Sequence, residues 1–350
     1  MFENGHVRER IGSILSESVP VPILDEHPSG LFWAFRFHDG NAAPIFDRPM
    51  PADLKPEAGW IWAHFPLSDQ RSRAYLSEIT DMPNDARAML LGEDWTPRIL
   101  FHGEWAFGVL PDFERQLDGR ITGTGRLRFA FDGKRLITAR RHALKVADEM
   151  HFRIETKKVT FADPLAAFLA FNKLYFETVE DLLEEIADAM DDVEDRVLAE
   201  YDDLESLELS PLRRDLSRRH RDISYLRTAY HRALSRQAHA RDHPLAQHLP
   251  NLEQQGEDLD RTVMSLQDRA RLIHEDIDTR ITAATNRTLR TLTIISVLLM
   301  PPTLIVGAFG MNLEGITFAK SPHGFAIVSG LCVLTVIVAF ALLRGLRILK

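Results

Sequence analysis

Gly310, Met311 and Asn312, followed by Glu314, stand where a long uncharged run of the chain ends. An Asn side chain offers an amide oxygen, a dipolar ligand without net charge. Repeated around an axis, such oxygens form a ring that can hold a cation through its water shell and release it again. Gly310 allows a sharp turn, and Met311 can pack beneath the ring as an adaptable apolar support. An ordinary helix C-cap at Asn312 is the structural alternative. Upstream, Asn286, Leu289, Leu292, Ser296, Met300, Thr303 and Gly307 recur at steps of three and four, which places them on one helix face. Leu289, Leu292 and Met300 would then be narrow apolar rings that gate by dewetting, or plain packing residues. No carboxylate lies in the run or in the second apolar run that follows. An ion passing here would keep part of its water.

The elements that must position these groups are two membrane spans. Residues 291–309 carry no charge, and at helical rise they cover roughly 28 Å, the thickness of a bilayer core. Pro301 and Pro302 would break a helix in water, but a bundle in lipid re-satisfies the freed carbonyls. A second uncharged run, 325–343, follows the loop 310–324. Arg287 and Arg290 precede the first run and Arg344, Arg347 and Lys350 follow the second, whereas the loop holds Lys320 balanced by Glu314. The positive-inside rule therefore predicts both termini in the cytoplasm. A buried core hairpin is disfavoured by the length of both runs and by charges at one pair of ends. One hairpin cannot enclose a polar path, so a pore requires a homo-oligomer in the lipid bilayer.

Met300-Pro301-Pro302-Thr303 and Gly310-Met311-Asn312, set between two C-terminal spans, resemble the signature of the CorA family of divalent-cation transporters. The stretch GMNLEGI is more similar to its ZntB-type, zinc-transporting branch: the loop continues LEGITFAK and lacks the acidic MPEL-type sequence of the magnesium branch. The resemblance implies an α+β membrane protein with a cytoplasmic α/β funnel, long stalk helices and two transmembrane helices per subunit. It further implies a homopentamer in a bacterial-type inner (plasma) membrane, with Zn2+ or Mg2+ as cargo and no covalently bound cofactor. By the same resemblance Gly310, Met311, Asn312 and Glu314 form the outer mouth, and the 286–307 series lines the pore. Cobalt and nickel stay open as cargo, as does the choice between a gated channel and proton-coupled import.

The 350 residues divide by pattern. Residues 1–162 read as an α/β domain, with strands in 30–37, 59–65, 98–110, 126–131 and 136–139, a hairpin turn at Asp132-Gly133, and helical spacing in 67–78 and 83–91. No phosphate loop, nucleophile elbow or HExxH occurs, and the histidines there are scattered, so an enzyme reading finds no catalytic set. Trp33, Phe35, Trp60, Trp62 and Trp105 read as core. Cys332 is the sole cysteine, which excludes a thiolate metal cage. The first ten residues hold no apolar signal segment.

Residues 163–250 predict a helical hairpin, acidic and then arginine-rich, with complementary faces. Asp188, Asp191 and Asp192 on its acidic arm, and His323 in the outer loop, are the candidate metal contacts. A solvated, mutually paired surface is the plainer reading of the acidic run. The net charge of −9 argues against nucleic acid. His231, His239, His243 and His248 cluster around Pro244 but share no helix face. Residues 251–290 carry a heptad-like apolar seam, a stalk that leads into the first span; 344–350 is a basic tail. A membrane-anchored coiled-coil binding or signalling module is the rival from another class. The polar positions within the first span argue against it.

Overall fold

The computed structural model describes residues 30–45, 54–116, 120–199, 209–235, 242–311 and 323–345. Asn312, Glu314, Lys320, His239, Arg347 and Lys350 lie outside the described residues. The chain divides into two compact units, the first comprising 1–200 and 208–271, the second 201–207 and 272–350.

In the first unit the described residues form seven strands: β1 (Trp33–His38), β2 (Asn41–Pro44), β3 (Trp60–Pro66), β4 (Arg98–His102), β5 (Trp105–Arg115), β6 (Ile121–Phe131) and β7 (Arg135–Arg140). They make one sheet in the order β2-β1-β3-β7-β6-β5-β4. Only β3 and β7 pair in parallel; the other neighbours are antiparallel. The run 98–110 is two strands, because the chain reverses at Gly103, whose φ of 60° suits a residue without Cβ. Asp132 makes the β6–β7 turn, its carboxylate accepting from the amides of Lys134 and Arg135, both at 2.8 Å.

Both faces of the sheet are covered, which explains why its central strands read as almost continuous apolar sequence. On β3, Ile61, Ala63 and Phe65 enter a core shared with Leu76 of α1 (Gln70–Glu78) and with Ala86 and Leu90 of α2 (Asn84–Leu91). The opposite face packs aromatics against α3 (Lys145–Glu155) and α4 (Pro164–Leu198). Trp33 stacks between His64 and His151, at 4.9 and 5.1 Å, and Phe113 stacks on Tyr175 at 5.3 Å. Trp62 Nε1 donates to Thr138 Oγ1 at 2.9 Å, and His64 Nδ1 lies 2.8 Å from the same hydroxyl. Burial, aided by the nearby Arg140 charge, holds His64 well below the usual imidazole range. Burial lowers His151 as well. These histidines are neutral core residues.

Helix α3 is capped from outside itself. Leu144 at its N-cap has no side-chain acceptor. The buried carboxylate of Asp112 on β5 instead accepts from the amides of Val146 at 2.9 Å, Ala147 at 3.1 Å and its neighbour Phe113 at 2.6 Å. Desolvation pushes Asp112 up to about 7 against the pull of these donors.

The remaining helices are α5 (Ser210–Ser235), α6 (Leu249–Gly310) and α7 (Gly324–Gly345), with a 3-10 turn at Pro244–Gln247 before α6. Helix α6 begins two residues before the stalk boundary that its apolar seam suggests. It stays helical through Pro301 and Pro302. In the second unit the part of α6 beyond 271 is accompanied by α7. Among the described residues, α6 and α7 are the two helices long and apolar enough to cross a membrane.

Candidate functional site

The apolar window of α6 has none of its residues buried within the chain, so its surroundings must come from lipid or from other copies. Its exposure is nevertheless patterned. Ile294, Leu298, Pro301, Pro302, Ile305 and Phe309 are half-buried. On α7 the less exposed positions are Gly324, Val328, Cys332, Thr335, Val336, Ala339 and Leu343, again at steps of three and four. These two stripes face each other where Cys332 Sγ lies 4.0 Å from the Pro302 carbonyl. Small residues on the α7 stripe permit close approach, the usual basis of helix association without a hydrophobic drive.

Asn286, Leu289, Leu292, Ser296, Met300, Thr303 and Gly307 are all exposed. With a helical step of about 100° per residue they centre about 180° from the α7-facing stripe. Leu289, Leu292 and Met300 are 54%, 60% and 70% exposed, too much apolar surface to stand in water. Ser296 Oγ donates to the Leu292 carbonyl at 2.9 Å and Thr303 Oγ1 to the Leu299 carbonyl at 2.7 Å. Each hydroxyl proton is thus used within the helix, which leaves oxygen lone pairs as acceptors on this face. Gly307 has open space where a Cβ would stand. The prolines remove the amides that would serve the Val297 and Leu298 carbonyls.

Helix α6 ends at Gly310, and Met311 follows it, 52% exposed. His323 is exposed and precedes α7, its backbone carbonyl accepting from the Ile327 amide at 3.1 Å.

In the first unit Asp188, Asp191 and Asp192 are exposed on α4. Arg269 of α6 donates to Asp191 and, at 2.5 and 3.0 Å, to Glu194. The acidic arm is therefore neutralised in part by α6, while Arg227 of the arginine-rich α5 pairs with Asp260 at 3.1 Å. Among the described residues no three His, Cys, Asp or Glu side chains come together in a way that could hold a metal ion. The histidines around Pro244 disperse. His231 Nδ1 lies 3.0 Å from Glu253. His243 is buried, its Nδ1 accepting from the Leu245 amide at 3.1 Å and its Nε2 donating to the Glu104 carbonyl at 3.2 Å. Sequence spacing could not anticipate the α7-facing stripe, which exists only once two helices meet. Its small residues were the available signal.

Comparison with known proteins agrees with this architecture. The family model described as CorA-like Mg2+ transporter protein matches residues 57–344. The zinc transport protein ZntB of Pectobacterium carotovorum subsp. carotovorum (strain PC1) is 23% identical over 297 residues, spanning 82% of this chain and 86% of its own. The divalent cation transporter CmaX of Pseudomonas aeruginosa (strain PAO1) is 28% identical over 279 residues, 78% of this chain and 82% of its own. The solved structure of full-length CmaX superposes with a TM-score of 0.72 at 23% identity, covering 93% of this chain and all of that one. The complete CorA magnesium transporter of Methanocaldococcus jannaschii gives a TM-score of 0.65 at 16% identity, covering 89% and 96%. These superpositions show a shared fold: a soluble α/β domain, a long helix and two C-terminal apolar helices. With four-fifths of its length matched by the family model, the chain belongs to the CorA family of divalent-cation transporters.

Proposed function

We propose that the chain is one subunit of a pentameric transporter in which the outward stripe of α6 lines a central path and Asn312 rings its outer mouth. The observation that carries this reading is the opposition of two stripes on one helix. One stripe meets α7, and the other, with its exposed apolar rings and hydroxyl acceptors, is left for further copies. In this arrangement both termini lie in the cytoplasm, as the flanking arginines favour. Ser296 and Thr303 accept from the water shell of the ion, Leu289, Leu292 and Met300 form the constrictions, and Glu314 adds negative charge near the mouth.

Zinc is the cargo we favour, with import coupled to protons. The LEGITFAK loop, which lacks an MPEL-type sequence, and the ZntB relatives support zinc; proton coupling is the mode we propose with it. Magnesium, cobalt or nickel passage is the alternative, supported by the family model's name and the CmaX relative. Asp188, Asp191, Asp192 and His323 are proposed as weak, solvent-facing cation contacts. The test is Asn312→Ala in the purified, assembled protein. Losing one polar contact per copy should lower metal flux by roughly tenfold or more with the oligomer intact. Unchanged flux would remove Asn312 from the pathway.

A further inference from the structure

The contact of Cys332 Sγ with the Pro302 carbonyl sets the level at which the two helices of the hairpin meet. From that level both run to one end, α6 back towards its start and α7 on towards its own end. Arg290 stands twelve residues before Pro302 and Arg344 twelve residues after Cys332, so the two share a level. Each is also ten residues from the middle of its uncharged run, Met300 or Leu334, roughly 15 Å at helical rise. A bilayer core reaches about 15 Å from its midplane and the headgroups about 21 Å. Arg290 and Arg344 therefore stand at the edge of the core, and Arg287, about 4.5 Å further out, stands in the headgroup layer.

All three arginines are exposed. At about 100° per residue Arg290 sits roughly 120° round α6 from Pro302, and Arg344 as far round α7 from Cys332, so both turn away from the helix contact. None of the three has an ion pair among the described residues. From Thr279 to Lys350 the sequence holds one carboxylate side chain, Glu314, in the loop at the other end. A second copy of the hairpin would therefore bring further cations to this level and no counter-charge. Anionic lipids supply one. A guanidinium matches a phosphate with two parallel hydrogen bonds, and its long stem carries the charge from the edge of the core into the headgroup layer. We propose that Arg287, Arg290 and Arg344 form a collar that binds monoanionic phospholipids such as phosphatidylglycerol in preference to zwitterionic ones, whose own ammonium group opposes the arginines. This requires only that both helices cross the bilayer. It does not depend on which cation is carried or on which side the collar faces.

The test is electron paramagnetic resonance of the full-length protein in phosphatidylcholine vesicles carrying a trace of spin-labelled phosphatidylglycerol or spin-labelled phosphatidylcholine. The fraction of label immobilised at the protein gives the relative affinity of the two lipids. Phosphatidylglycerol should be favoured about fivefold or more at low salt, the gain expected from one well-placed arginine, and added salt should reduce the preference. Replacing the three residues together, Arg287→Gln, Arg290→Gln and Arg344→Gln, should cut it at least about threefold. Equal affinities in the wild type, or an undiminished preference in the triple variant, would overturn the assignment. So would displacement of the lipid by inorganic phosphate at matched ionic strength, which would mark a site for the free anion. If the triple variant does not assemble, the single variants Arg290→Gln and Arg344→Gln decide, and an undiminished preference in both would overturn the collar.

Discussion

Single residues in this chain do two kinds of work, and Asp112 shows the structural kind. Its carboxylate replaces the missing cap of α3 from a neighbouring strand. Because burial raises it to about 7, the folded state holds the Asp112 proton more tightly than the unfolded state does. Its contribution is complete below the ordinary carboxylate range near pH 4 and is lost as pH rises through about 7. Thermal unfolding of the wild-type protein should accordingly show a midpoint that falls across that window. Asp112→Asn, which keeps an acceptor oxygen, should flatten the slope while lowering stability by about 1 kcal/mol. Equal slopes in the two proteins would contradict the assignment. None of this was legible in the sequence, because Asp112 lies 34 residues from the amide of Val146 that it serves. The histidines were equally opaque. The fold buries the scattered His64 against Trp33 and spends both nitrogens of His243, one of the histidines around Pro244.

At the scale of elements, much more could be read in advance. The strands at 33–38, 60–66 and 135–140, the helices at 70–78 and 84–91 and the long α6 fall near where periodicity places them, because each carries a local pattern. Strand β2 and helix α3 were not legible: Asn41–Pro44 is short, mostly exposed and ends in proline, and α3 owes its start to a distant carboxylate. The two faces of α6 divide in the same way. The outward series follows from spacing alone, whereas the α7-facing stripe needed the contact between Cys332 and Pro302. Single cysteines placed in turn from 289 to 307, in a Cys332→Ala background, test the outward face. Labelling by a membrane-impermeant cationic thiol reagent should recur at 289, 292, 296, 300, 303 and 307 and be weak at 294, 298 and 305. Uniform labelling, or the reverse pattern, would remove that face from the pathway.

For the whole molecule, family and architecture follow from residues 57–344, but the path itself needs several copies. The apolar window of α6, none of whose residues is buried within the chain, leaves its own outward stripe unmet. The most direct test of a metal path built this way is uptake by the purified protein in proteoliposomes, comparing zinc with magnesium, each with and without an inward proton gradient. The account predicts zinc uptake that the gradient strengthens. Magnesium flux indifferent to the gradient would replace proton-coupled zinc import with a channel, and no flux of either ion would contradict transport itself.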